Sequence, residues 1–117
     1  MALIRANTSG SGGSGGSWTD IKASGVTGTV EWKKVSDNIF ALHIAVSGIN
    51  SDTYVTVGTI TDSNAIPSSD KNMAGMNGKL NPSLIQIKTT GVVRVYNSPD
   101  MPNSTAKQVA GDLLYTV

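Results

Sequence analysis

The chain is poorest in the residues that supply reactive chemistry. Its 117 residues include no cysteine and a single histidine, His43. The absence of cysteine excludes disulfide frameworks, thiolate zinc sites and cysteine nucleophiles. As a general base, His43 would need a nucleophile and an orienting partner from elsewhere in the fold. No His-Glu pair is present. We therefore predict a protein that is not an enzyme, with no catalytic residue, cofactor or metal.

The sequence also lacks an excess of charge of one sign and any long apolar run. The formal net charge is +1, and the only adjacent basic residues are Lys33 and Lys34. Because nucleic-acid binding requires clustered basic side chains, we expect no nucleic-acid partner. No apolar run approaches the ~18 residues of a membrane span, so we expect no membrane insertion. Residues 1–5, Met-Ala-Leu-Ile-Arg, are too short for a signal peptide, which predicts synthesis in the cytoplasm as a soluble product.

The segment 39–46 shows the clearest secondary-structure pattern of the chain. Phe40, Leu42, Ile44 and Val46 alternate with other residues, and a period of two is typical of a β-strand with one apolar face. Amphipathic helix patterns are absent, while valine, isoleucine and threonine are common. The sequence therefore predicts an all-β protein.

Polar turns separate the strand-like segments along the rest of the chain. Segments 28–34 and 39–46 are expected to form one hairpin, and segments 84–88 and 92–96 a second. Six to eight short antiparallel strands predict a small β-sandwich or jelly roll over residues 18–117. We expect one core containing Phe40, Leu42, Ile44, Val46, Val55, Val57, Ile85, Ile87, Val93 and Val95.

The second face of the 39–46 strand carries small residues instead of charges. Ala41, His43 and Ala45 point away from the apolar side chains. A strand that is open to water on one side usually carries charged residues there. We therefore predict that these three residues are covered, either by another sheet or by a copy of the same chain at an oligomer interface.

Residues 1–17 differ in composition from the rest of the chain. Residues 8–17 contain only Thr, Ser and Gly, which is typical of a flexible tether. Such a stretch is either a cloning remnant or a natural arm with an apolar tip. We favour the natural arm, in which Leu3 and Ile4 dock onto an assembly partner.

Two loops contain residue types that bind sugars. Carboxylates and amides hydrogen-bond vicinal hydroxyls, and an aromatic ring covers the apolar side of a sugar. The Asp-x-Asn spacing in the first loop also resembles part of a calcium loop, but the glycine and the distal glutamate of that loop are missing. The candidate ligand-binding residues are Asp62, Asn64, Asp70, Tyr96, Asn97, Asp100 and Asn103.

The order of features from Trp18 onward resembles the C-terminal head domain of phage tail-fibre and baseplate receptor-binding proteins. The matching segments are 18–21 (Trp-Thr-Asp-Ile), 30–34 (Val-Glu-Trp-Lys-Lys), 39–46, 57–60 (Val-Gly-Thr-Ile), 66–67 (Ile-Pro), 85–88, 91–95 and 111–117. The resemblance implies a jelly-roll or β-sandwich head in a virion, usually homotrimeric, that binds saccharide on the host cell surface. The resemblance assigns no binding residues, because the binding loops vary from one member of that family to another.

One departure from the family concerns the region before the head. A short tether stands where the family has a long shaft or a baseplate-anchoring domain. This departure raises an alternative hypothesis, in which the chain is an accessory or decoration protein. Such a protein would dock on a capsid or tail through its N-terminal arm and bind no sugar.

Overall fold

The computed structural model describes residues 16–50, 52–77, 82–97 and 107–117. In chain order the strands are β1 (Thr19–Asp20), β2 (Thr27–Ser36), β3 (Ile39–Ser47), β4 (Tyr54–Thr59), β5 (Lys71–Asn77), β6 (Pro82–Ile87), β7 (Val92–Asn97) and β8 (Val109–Thr116). A short 3-10 turn, Ser63–Ala65, precedes β5. The predicted arm with Leu3 and Ile4, and the predicted loop residues Asp100 and Asn103, lie outside the described residues. Within the described ranges, no helical segment has the length and apolar character needed to cross a bilayer.

All eight strands belong to one antiparallel sheet with the order β1-β2-β3-β8-β5-β6-β7-β4. The sheet curls until its two ends meet. Lys22, just after β1, forms a bridge with Gly58 in β4, and Ala23 N donates to Val57 O at 2.8 Å. The prediction of an all-β antiparallel fold resembling a sandwich is therefore confirmed, and so are the two predicted hairpins, β2–β3 and β6–β7.

The two halves of the curled sheet enclose one core. In the β2–β3 hairpin, Val30 pairs with Ile44 and Trp32 with Leu42, so both strands direct their apolar side chains to the same side. The predicted core set is confirmed, although Val55 is only partly buried. Sequence reasoning did not include the further core members Val30, Trp32, Ile49, Ile60, Ala65, Val109 and Tyr115. The core therefore joins residues from nearly every part of the described chain.

Tyr115 connects the core of β8 to the 3-10 turn. Its hydroxyl donates to Ala65 O at 2.8 Å, and its ring stacks on Phe40 with 5.6 Å between centroids. Burial raises the pKa of Tyr115 above its ordinary value, because the phenolate would lose its hydration.

Tyr115→Phe is expected to lower the free energy of unfolding by about 0.5–1.5 kcal/mol. The substitution keeps the ring but removes the only hydrogen bond described for its hydroxyl, to the carbonyl of a fully buried residue. Urea unfolding measures the change. Tyr54→Phe is the matched control because Tyr54 is 47% exposed, whereas Tyr115 is buried. Equal effects of the two substitutions would contradict a structural role for the Tyr115 hydroxyl.

Candidate ligand-binding surfaces

Asp62 and Asn64, both predicted to bind a ligand, line one concave pocket. Asp62 Oδ1 accepts a hydrogen bond from Asn64 N at 2.9 Å and caps the 3-10 turn, which orders this loop. The pocket, here called the Asp62 pocket, has a volume of about 480 Å³. Its lining residues are Trp32, Lys34, Asp37, Asn38, Phe40, Asp62, Asn64 and Val117.

The Asp62 pocket combines an aromatic wall with a polar rim. Trp32 and Phe40 lie with their ring centroids 6.0 Å apart and expose only a small part of their rings. The rim supplies carboxylates from Asp37 and Asp62 and an ammonium group from Lys34, which lies 3.8 Å from the Asp37 carboxylate. A pocket of this kind can hold a polyhydroxylated ring, with polar groups on the hydroxyls and an apolar ring face against the aromatics. Among the described residues, no group of three or more carboxylate or imidazole side chains could hold a metal ion.

Asp70, the third predicted residue of this loop, lies in a different place. Lys88 Nζ donates to its carboxylate at 2.7 Å and Thr89 N at 3.0 Å. The hydrogen bond from Lys88, which has the largest effect, and the one from Thr89 N lower the pKa of Asp70. Asp70 lines a groove between β5 and β8 and does not line the Asp62 pocket. The Asp70 carboxylate therefore stabilises the β6–β7 turn.

Tyr96 and Asn97 follow each other on β7 but point to opposite sides of the sheet. The Tyr96 hydroxyl donates to Asp52 on the outside, whereas Asn97 is fully buried. The Asn97 amide donates to Ile49 O at 2.9 Å, inside the fold. The proposed binding surface therefore does not include Asn97.

The exposed side of β4, β7, β6 and β5 carries a linked row of polar and aromatic groups. The Tyr54 and Tyr96 ring centroids lie 4.8 Å apart, and Arg94 Cζ lies 4.2 Å from the Tyr54 ring centroid. Arg94 Nε donates to Gln86 Oε1, and Gln86 Nε2 donates to Asn72 Oδ1 at 2.7 Å. We call these five residues the tyrosine–arginine face.

Sequence reasoning missed most of the tyrosine–arginine face. Gln86, Arg94 and Tyr96 alternate with buried neighbours on β6 and β7, so a period of two already predicts their outward direction. Their mutual contacts depend on the pairing of β4 with β7 and of β5 with β6, which local patterns do not contain.

The three predicted interface residues lie in one line on β3 but differ in exposure. Ala41 is buried within the chain itself, His43 is half-buried, and Ala45 is exposed. The His43 ring contacts Trp18 edge-on at 6.1 Å between centroids, and His43 Nδ1 is hydrogen-bonded to Asp112 Oδ1. A copy docking here would therefore meet Ala45 and the outer edge of the His43–Asp112 pair.

Lys33 lies on the same side of the sheet and is only 2% exposed. Its Nζ sits 5.0 Å from the centroid of the Trp18 ring. A cation over an aromatic face is stabilised by the ring quadrupole, which offsets part of the cost of burying the charge. Trp18 thus covers both Lys33 and His43.

The fold of this chain is similar to that of a phage head domain. The crystal structure of the head domain of phage bIL170, described among receptor-binding domains of lactococcal phages, aligns with a TM-score of 0.63 and 23% sequence identity. The alignment covers 86% of this chain and 97% of the phage domain. No protein-family model matches the chain, and no curated protein is similar to it in sequence. The similarity confirms the predicted resemblance to receptor-binding heads at the level of the fold.

Proposed function

We propose that this chain is a non-enzymatic phage virion protein that binds saccharide on the host cell surface through the Asp62 pocket. The observation that carries the proposal is the pocket itself: the Asp62 carboxylate and the Asn64 amide border a concave surface whose wall is Trp32 and Phe40. This pocket lies on a fold similar to a phage head domain.

The composition of the pocket favours a neutral or weakly charged sugar. The carboxylates of Asp37 and Asp62 outnumber the single ammonium group of Lys34 among the lining residues, so an anionic ligand would be repelled. Carboxylates accept hydrogen bonds from hydroxyl groups, and amides can both donate and accept them. Trp32 and Phe40 supply the apolar part of the lining, against which the C–H groups of a sugar can pack.

The proposal extends to the partners of the protein. As a virion component, the chain would associate with other tail or capsid proteins and with further copies of itself. A homotrimer would present several pockets to one cell surface, and multivalent contact strengthens binding when single sites are weak.

The test is a glycan array with the full chain, followed by titration calorimetry of the best ligand with the Asp62→Asn variant. Asparagine caps a helical turn about as well as aspartate, so the loop should stay in place while the charge is lost. Loss of a charged hydrogen-bond partner predicts binding weaker by about tenfold to a hundredfold.

Asp70→Asn is the matched control because Asp70 is a neighbouring loop carboxylate outside the pocket. It should leave the affinity unchanged. Equal affinities for the wild type and Asp62→Asn would remove the pocket from the binding site. Absence of binding to every glycan at high concentration would instead favour the accessory or decoration protein.

A further inference from the structure

β5 and β8 are neighbours in the sheet, but they pair along only a short part of their length. Of the residues of β5, only Met76 and Asn77 pair with β8. The other edge of β5 pairs with β6, and the other edge of β8 pairs with β3. Residues 71–75 of β5 and 111–116 of β8 therefore present two facing strand edges that no described strand joins. We call the space between these edges the β5–β8 groove.

The β5–β8 groove is the one that Asp70 lines, and it has a volume of about 440 Å³. Leu114 of β8 points outward into it and, at 59%, is the most exposed large apolar side chain of the described residues. Ile39 of β3 lies beside it on the same outer face, whereas Tyr115 and Met73 line the groove from the side of the core. The groove thus offers apolar contacts on both faces of the sheet.

Segment 2–5, Ala-Leu-Ile-Arg, has the composition of a strand that fits such a groove. Leu3 and Ile4 are consecutive, and consecutive residues of a strand point to opposite faces of the sheet. In a strand placed along β8, one of these side chains would contact Leu114 and the other would contact Tyr115. Apolar side chains on both faces are typical of a strand in the interior of a sheet, with neighbours on both sides.

The linker before Gly16 is long enough to bring this segment to the groove of its own chain. Gly16 N donates to Lys34 O at 2.9 Å, so the linker ends beside β2. Lys34 is in register with Phe40 on β3, which is in register with Tyr115 on β8. The path from Gly16 across β2, β3 and β8 is about four strand spacings, roughly 19 Å. The Gly/Ser-rich residues 6–15 have an r.m.s. reach of roughly 16–19 Å.

We propose that segment 2–5 inserts into the β5–β8 groove of its own chain as an additional strand on the edge of β8. Its backbone pairs with residues 111–116, and Leu3 and Ile4 cover the apolar side chains on the two faces of the groove. The tether makes this binding intramolecular, so it needs no second copy. The groove shares no lining residue with the Asp62 pocket, and the contact is independent of saccharide binding.

This contact would also control the docking of the arm on an assembly partner. Leu3 and Ile4 cannot cover the β5–β8 groove and bind another protein at the same time. Docking on a partner would therefore require release of the segment from its own chain.

Disulfide trapping tests the contact, since the chain contains no cysteine of its own. Leu3→Cys or Ile4→Cys is combined with Leu114→Cys in the full chain, and nonreducing electrophoresis follows oxidation. At least one of the two pairs should form an intramolecular disulfide about tenfold faster than the same arm variant combined with Thr29→Cys. Thr29 is the matched control because it is exposed on β2 at roughly 17 Å from Lys34 along the strand, within the same reach of the linker.

Hydrogen exchange of the cysteine-free chain gives a second readout. The amides of residues 111–116 that face the groove should exchange about tenfold more slowly in the wild type than in a Leu3→Ser/Ile4→Ser variant, because docking supplies their hydrogen-bond partners. The amides of β7 should not change. Circular dichroism checks folding, and Ile39→Cys replaces Leu114→Cys if that variant does not fold. Trapping no faster than in the control pair, disulfides that join two chains, or unchanged exchange in β8 would each overturn the proposal.

Discussion

Leu42→Ala is expected to lower the free energy of unfolding by about 2–5 kcal/mol, the range for a buried leucine that leaves a cavity. Leu42 is completely buried at the middle of β3, where it pairs with Trp32 on one side and Leu113 on the other. Two paired neighbours on the strands beside it limit how far the site can collapse. Urea unfolding followed by circular dichroism measures the loss.

Ile39→Ala is the control for this substitution. Ile39 lies on the same strand but is 38% exposed, so its truncation removes less buried surface and should cost clearly less. If Leu42→Ala cost less than ~1 kcal/mol, the assignment of the apolar face of β3 to the core would be wrong.

Gly91→Ala is expected to destabilise the protein by about 2–5 kcal/mol, the sum of two effects. Gly91 has a φ of 88°, which costs an L-residue roughly 1–2 kcal/mol. An added Cβ would also lie 2.2 Å from Ile60 O, whose residue donates its own N–H to Gly91 O at 2.8 Å. The backbone at Ile60 would have to move, and overpacking of this kind adds about 1–3 kcal/mol.

Gly25→Ala separates the two effects. Gly25 has nearly the same φ, 86°, but an added Cβ would meet nothing within 4 Å. This substitution should therefore show the conformational cost alone, about 1–2 kcal/mol. The difference between the two variants, measured by thermal or urea unfolding, reports the contact with Ile60. Equal losses of stability in the two variants would show that the backbone at Ile60 moves away from the added Cβ at no cost in free energy.

Strand alternation accounts for the part of the fold that the sequence predicts. Phe40, Leu42, Ile44 and Val46 identify both a strand and its inward face, and the structure buries all four. The same rule also places Asn97 inside, since it continues the inward series of Val93 and Val95. Asn97 was predicted to contact a ligand because of its amide group, and that prediction disregarded its inward position in the series.

The arrangement of the candidate site could not be predicted from local sequence patterns. Asp62 and Asn64 are predictable as a capped turn, but their position beside Trp32 depends on the curvature of the whole sheet. Lys33 follows the outward series of β2, and its burial results from the Trp18 ring, fifteen residues earlier in the chain. Contacts of this kind arise from strand order, which alternation does not specify.

The position of β8 in the sheet has a consequence for biosynthesis. β8 lies between β3 and β5, although every other strand of the described residues precedes it in the chain. β3 ends at Ser47 and β8 begins at Val109. At ribosomal elongation rates of 5–20 residues per second, roughly 3–12 s pass between the synthesis of β3 and that of β8, its second neighbouring strand in the sheet. The nascent chain therefore carries one open edge on an apolar strand during this interval, and chaperone binding or pairing between chains on one polysome would act there.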